Sequence, residues 1–203
     1  MLGPLTNTIQ GIVNFTWPMV LISVVIMVSV RVSYLIKNHA NTNIVLYKEI
    51  LMLVFAIYIL CLFQIVTFQD SSLISGNNYI PFKEILRYNI TSRLFFKNVI
   101  GNMIMFLPFG FFISYYLDSS SFRLPLVLTL IASAAIEIVQ SLIGRVFDID
   151  DIILNLIGGL FGYMIYHILR KIGEKYPKLF HNEWFLNILS IISLVGLVII
   201  LIY

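Results

Sequence analysis

Residues 123–143 read RLPLVLTLIASAAIEIVQSLI, an apolar run with a single carboxylate, Glu137, inside it. A helix needs about 20 predominantly apolar residues to cross a hydrocarbon core. An ionisable side chain within such a helix is costly unless it faces a partner or a wet cavity. The run therefore predicts a transmembrane helix and marks Glu137 as a candidate functional group. On a helix, Ser133, Glu137, Gln140 and Gly144 fall at i, i+4, i+7 and i+11, one polar stripe on an apolar cylinder.

Further runs of the same kind lie to either side: Trp17–Ile36, Ile50–Phe68, Asn98–Leu117, Ile152–Leu169 and Phe185–Ile202. The whole chain agrees with them. Of its 203 residues 60% are hydrophobic and only 11% charged, against about 25% charged in a soluble domain. Mean hydropathy is +0.96. So few charges cannot cover a water-facing surface. The runs are continuous rather than alternating, which excludes a β-barrel. The expectation is an all-α fold, a polytopic transmembrane helical bundle of about six spans, forming a single membrane domain over residues 1–203. Trp17, Tyr34, Tyr58, Tyr115, Tyr116, Tyr166 and Trp184 mostly fall near span ends, as an aromatic belt requires. Arg31, near the end of the first span, is placed to snorkel to the interface. The first run has no basic stretch before it, so a cleaved signal peptide is not expected.

Six spans put the Lys and Arg residues of the first, third and fifth loops on one side, eight against five on the other. The positive-inside bias then places both termini outside. The long loop Gln69 to Lys97 falls outside with them. Its turn formers, Asp70, Ser71, Ser72, Gly76, Asn77 and Asn78, precede Tyr79-Ile80-Pro81-Phe82 and a basic amphipathic stretch from Lys83 to Tyr88. Ile85, Leu86 and Ile90 beside Lys83, Arg87 and Arg93 suit a short interfacial helix, or a loop that only touches headgroups.

The polar residues of three spans share a depth. Asn98 and Asn102 lie in the first turns of the third span, and Asp151 and Asn155 in those of the fifth, on a face with Gly158 and Gly162. The fourth span climbs past Glu137 and Gln140 to the loop Gly144–Asp151, which adds Arg145, Asp148, Asp150 and Asp151. All converge on one membrane face, the outer leaflet in the preferred topology. Each piece also has a purely structural reading. Asp148 or Asp150 caps the fifth span, with Asp151 favoured by the helix dipole. The asparagines are interhelical glue, Glu137 pairs with Arg145, and Gly158-x-x-x-Gly162 admits a neighbouring helix closely.

As a site, the cluster offers several chemistries. Glu137, Asp148 and Asp151 are oxygen ligands for a divalent cation such as Mg²⁺ or Ca²⁺, though no cofactor is required. Glu137 and Asp151 are the candidate acid–base groups. Arg145, with Lys83 and Arg87, suits a phosphate or carboxylate. His39, His167 and His181 lack zinc spacing. Cys61 lies inside an apolar run and has no second cysteine to pair with. No nucleophilic triad, phosphate-binding loop or dinucleotide turn is present, and a net charge of +3 spread over the loops gives no case for nucleic acid.

Asn98-x-x-x-Asn102-x-x-x-Phe106-x-Pro108-x-Gly110, then Glu137-x-x-Gln140, Arg145, Asp148, Asp151, Asn155 and Gly158-x-x-x-Gly162, resembles the VanZ-like family, and Ile80-Pro81-Phe82 resembles the loop before that family's second helix. The resemblance covers roughly Ile50 to Leu169, leaving the first and last spans (17–36 and 185–202) outside it. It implies a multi-pass protein of the bacterial plasma membrane, associated with resistance to teicoplanin and related lipoglycopeptide antibiotics. It carries no defined reaction. It also implies that Asn98, Asn102, Glu137, Gln140, Arg145, Asp148, Asp151 and Asn155 are the ligand-binding set. The partners expected are membrane lipid and an amphiphile, either the antibiotic or a lipid-linked cell-wall precursor. An enzyme acting on a polyprenyl-linked or phospholipid headgroup is the alternative, and a small transporter the third reading.

Overall fold

A computed structural model describes residues 23–26, 28–34, 45–68, 76–180 and 182–202. Seven helical elements anchor it: α1 (Leu46–Phe68), α2 (Lys83–Arg87), α3 (Arg93–Tyr116), α4 (Arg123–Leu142), α5 (Ile149–Lys175), α6 (Pro177–Phe180) and α7 (Glu183–Ile202). Among the described residues four helices are long and apolar enough to cross a membrane: Leu46–Phe63 within α1, and α3, α4 and α5. Shorter apolar helices, Ser23–Tyr34 and Glu183–Ile199, overlap the first and last expected spans. About six spans is thus slightly more than the described residues show. Trp17 and the ends of the first expected span, like Lys37, His39, Asp70, Ser71, Ser72 and His181, lie outside the described residues.

The chain divides into two compact units, Met1–Phe68 with Tyr176–Tyr203, and Gln69–Lys175. In the first, α1 packs along α7. Ile57 and Cys61 are buried there, with Leu53, Leu60, Val24, Leu194 and Leu197 against them. Arg31 does not simply extend to water. It grips Glu49 through Nε (2.8 Å) and Nη2 (2.6 Å) and lies over the Tyr34 ring.

The second unit is built on close contact of α3 with α5. A Cβ at Gly158 would strike the backbone of Met103, one at Gly162 that of Leu107, and one at Gly110 that of Gly159. The expected small-residue face thus does bring two backbones together. Across it, Gly159 meets the Thr129 side chain of α4. The stripe on α4 faces inward, with Thr129, Ser133, Glu137 and Gln140 all buried. Gly144 does not belong to that stripe. It adopts φ +84° just past the helix, where Gly144 N–H donates to Ser141 O (3.2 Å) and Arg145 N–H to Gln140 O (2.9 Å). This paired closure needs a left-handed residue and suits glycine.

Within α3, Phe96–Ile100 form a π-turn, with Gly101 N–H bonded to Phe96 O. Such widened turns reorient the side chains they carry. Asn98 and Asn102 have separate partners, the Tyr88 hydroxyl and the Asp151 carboxylate.

Candidate functional site

The site grows from the turn that starts α5. Asp148 caps that helix: its Oδ1 accepts the Asp150 N–H (2.9 Å), satisfying one of the donors a helix start leaves open. The same oxygen accepts Asn78 Nδ2 (2.8 Å). Asn78 N–H donates to Phe147 O (2.8 Å) and Ile149 N–H to Asn78 O (3.0 Å), forming a parallel bridge between the two loops. Asn77 Oδ1 accepts the Phe147 N–H, and the Tyr79 and Phe147 rings stack at 5.4 Å. The loop before α2 is therefore zipped onto the loop before α5.

Asp150 has a different task from the expected one. Its carboxylate reaches away from its own helix and accepts the backbone N–H groups of Phe82, of Glu84 (2.7 Å) and of Ile85 (3.1 Å). It thereby caps α2, whose own N-cap residue, Phe82, has no side-chain acceptor and sits at φ 66°. Successive N–H groups around such a left-handed residue form a nest for an anion, and Asp150, about 1% exposed, fills it.

Glu137 enters from α4. Its Oε2 accepts the Asp148 N–H (3.0 Å), and it is about 1% exposed. Asp151, one residue beyond the nest-filling carboxylate, accepts Asn102 Nδ2 from α3. Arg145 lies within electrostatic reach of both Glu137 and Asp151. One turn deeper on α5, Asn155 donates Nδ2 to Ser133 Oγ (2.9 Å), and its buried Oδ1 has no hydrogen-bond partner among the described residues. Asn98 donates to the Tyr88 hydroxyl (2.8 Å). Of the carboxylates that lie outside the spans, Asp148 has its pKa raised, first because burial disfavours its charge and further because Asp150 and Glu84 are near; the bonds from Asn78 and Asp150 N–H oppose the shift.

The structure thus brings Asn102, Glu137, Arg145, Asp148 and Asp151 to one end of the second unit. Gln140 is buried on the same face of α4. Asn155 lies a turn below and Asn98 turns to α2's end. Sequence reasoning saw Asn78 only as a turn former and gave Glu84, Tyr88 and the nest at Phe82 no role. Their partners are 10 to 70 residues away in the chain, and only the paired Asn77-Asn78 hinted at a structured turn. Among the described residues no group of three or more His, Cys, Asp or Glu side chains is arranged to hold a metal ion.

The family model described as VanZ/LLP1 matches residues 49–170, well over half of the chain and within a residue of the expected limits. The chain belongs to the VanZ/LLP1 family. A relative, Protein VanZ of Enterococcus faecium, is 29% identical over 119 residues, covering 57% of this chain and 73% of its own length. No solved structure matches. The VanZ/LLP1 match runs from the first turn of α1 to Arg170 and so takes in every residue of the zipped loops and the carboxylate cluster. With four helices able to cross a bilayer, this VanZ/LLP1 chain is a membrane protein.

Proposed function

We propose that the protein is a bacterial cell-envelope component, multi-pass in the plasma membrane, that confers resistance to teicoplanin and related lipoglycopeptides by binding an amphiphile at the outer face of the second unit. The likeness to Protein VanZ supports the biological setting. The carboxylate-and-arginine cluster supports the site. Glu137, Asp148, Asp151 and Arg145 lie together where α4 ends and α5 begins. An amphiphile whose chain lies among the helices would bring its polar head to that level. The excess of Lys and Arg in the odd-numbered loops supports the outward orientation, with both termini outside.

The ligand is the antibiotic itself or a lipid-linked cell-wall precursor. Either would meet a mixed-charge head site, with Arg145 for its anionic groups and the carboxylates for its donors. Glu137→Gln and Arg145→Ala are expected to lower the teicoplanin inhibitory concentration of an expressing strain at unchanged protein level. If both mutants keep parental resistance, the site is wrong. Labelling Asp148→Cys in a Cys61→Ser chain with an impermeant thiol reagent tests sidedness, and protection in whole cells would reverse the orientation.

The closeness of Glu137 to Asp151 favours one second reading, an enzyme in which this acid pair acts on a lipid-linked headgroup. Turnover of a radiolabelled precursor by purified protein, lost in Asp151→Asn, would select it over simple binding.

A further inference from the structure

We propose that the segment from Ile80 to Lys97 is a docking surface for the anionic phospholipid headgroups of the surrounding bilayer. Its position comes first. Arg93 opens α3 and Ile149 opens α5, two helices able to span the membrane. Asp150, in the first turn of α5, holds the start of α2 through three backbone N–H groups. The segment is therefore anchored at the level where these helices leave the hydrocarbon.

Its surface is the second observation. Leu86 and Ile90 are 81% and 71% exposed, and Phe82, Leu94 and Phe96 are more than half exposed. Apolar side chains at that level, interleaved with cations, are the composition of an interfacial segment. The third observation is charge. Lys83, Arg87, Arg93 and Lys97 are all exposed. The one carboxylate between Gly76 and Lys97 is Glu84, which is buried and paired with Arg87. Lys83, Arg93 and Lys97 make no ion pair among the described residues. The start of α2 itself offers no open anion site, because Asp150 already fills it. Recognition would rest on side-chain cations meeting lipid phosphates while Leu86 and Ile90 sink beneath them.

This surface is separate from the carboxylate cluster, so it stands or falls independently of the amphiphile reading. The test uses the full chain, Cys61→Ser with Leu86→Cys carrying an environment-sensitive fluorophore, in nanodiscs. Brominated phosphatidylglycerol and brominated phosphatidylcholine are compared at equal mole fraction. Phosphatidylglycerol should quench at least about twofold more strongly, since each basic residue near an anionic surface favours it several-fold. Lys83→Gln, Arg93→Gln and Lys97→Gln together should bring the ratio to about one, with Arg87 kept because it holds Glu84. Lys83→Arg with Lys97→Arg should preserve the preference, and so separates loss of charge from misfolding. Equal quenching in the parent overturns the proposal. So does a preference that survives loss of the three charges. Absence of quenching by either lipid also overturns it and would point to a protein partner on this face.

Discussion

The two ends of α5 handle carboxylates in opposite ways. At its start, Glu137, Asp148 and Asp150 are met chiefly by backbone N–H groups and amides, and Asp150 and Glu137 are almost wholly enclosed. At its other end Asp118 is open to solvent and meets side chains: the Tyr166 hydroxyl at 2.7 Å and Arg170 Nη1 at 2.6 Å, with Glu174 also near Arg170. The first arrangement depends on dipoles fixed by the fold. The second depends on a mobile counterion that water and salt can replace. Similar residues are structural at one end and incidental at the other, because their burial differs.

The largest expected effect breaks this asymmetry directly. Asp150→Ala leaves three backbone N–H groups without their acceptor and should cost about 3 kcal/mol of stability, read as a marked fall in melting temperature in detergent. Asp118→Ala should barely move it. Equal losses from the two variants would show that enclosure does not separate the ends. Gly110→Val acts between them, forcing a side chain into the backbone of Gly159. Overpacking of this kind costs about 1–3 kcal/mol. Because α3 carries both Asn102 and the turn to Asp118, protease protection should fall at both ends, and loss at one alone would mean they are uncoupled.

A smaller effect concerns backbone strain, which both ends contain. Phe82 and Asp118 are the non-glycine residues at positive φ among those described. Aspartate tolerates that region better than phenylalanine. Phe82→Gly should therefore stabilise the protein by up to about 1 kcal/mol, while Asp118→Asn stays neutral. The smallest effect is in the pH dependence. Asp148 holds its proton more tightly folded than unfolded, so its ionisation opposes folding. Its contribution to stability falls as pH rises through the raised folded pKa, and is regained as pH drops toward the ordinary aspartate value. Asp148→Asn keeps an oxygen for Asn78 and for the Asp150 N–H. It should flatten this part of a melting-temperature profile and raise the value near neutrality.

Much of the second unit was legible in the sequence. Helical spacing alone put Ser133, Glu137 and Gln140 on one buried face, and Gly158 and Gly162 on the face that meets α3. Asp148 was also a foreseeable cap. The destination of Asp150 was not, since nothing local distinguishes a carboxylate that caps its own helix from one that reaches back to Phe82. Gly144 was misread because period 3.6 continues arithmetically past the point where the chain turns left-handed. Asn98 and Asn102 go to different partners, Tyr88 and Asp151, and no local residue pattern announces either contact. About six spans is slightly more than the four long apolar helices found among the described residues, and part of the first expected span lies outside those residues.

The Asp150 nest also bears on how the protein is made. The groups it accepts lie 65 to 68 residues earlier in the chain. A ribosome delivers α2, α3 and α4 before the acceptor exists, so the short helix spends that interval uncapped. Its strained start at Phe82 gains compensation only when the first turn of α5 arrives. Closing the two loops therefore waits on the first turn of α5, and the short helix depends for its cap on a part of the chain made after two long helices.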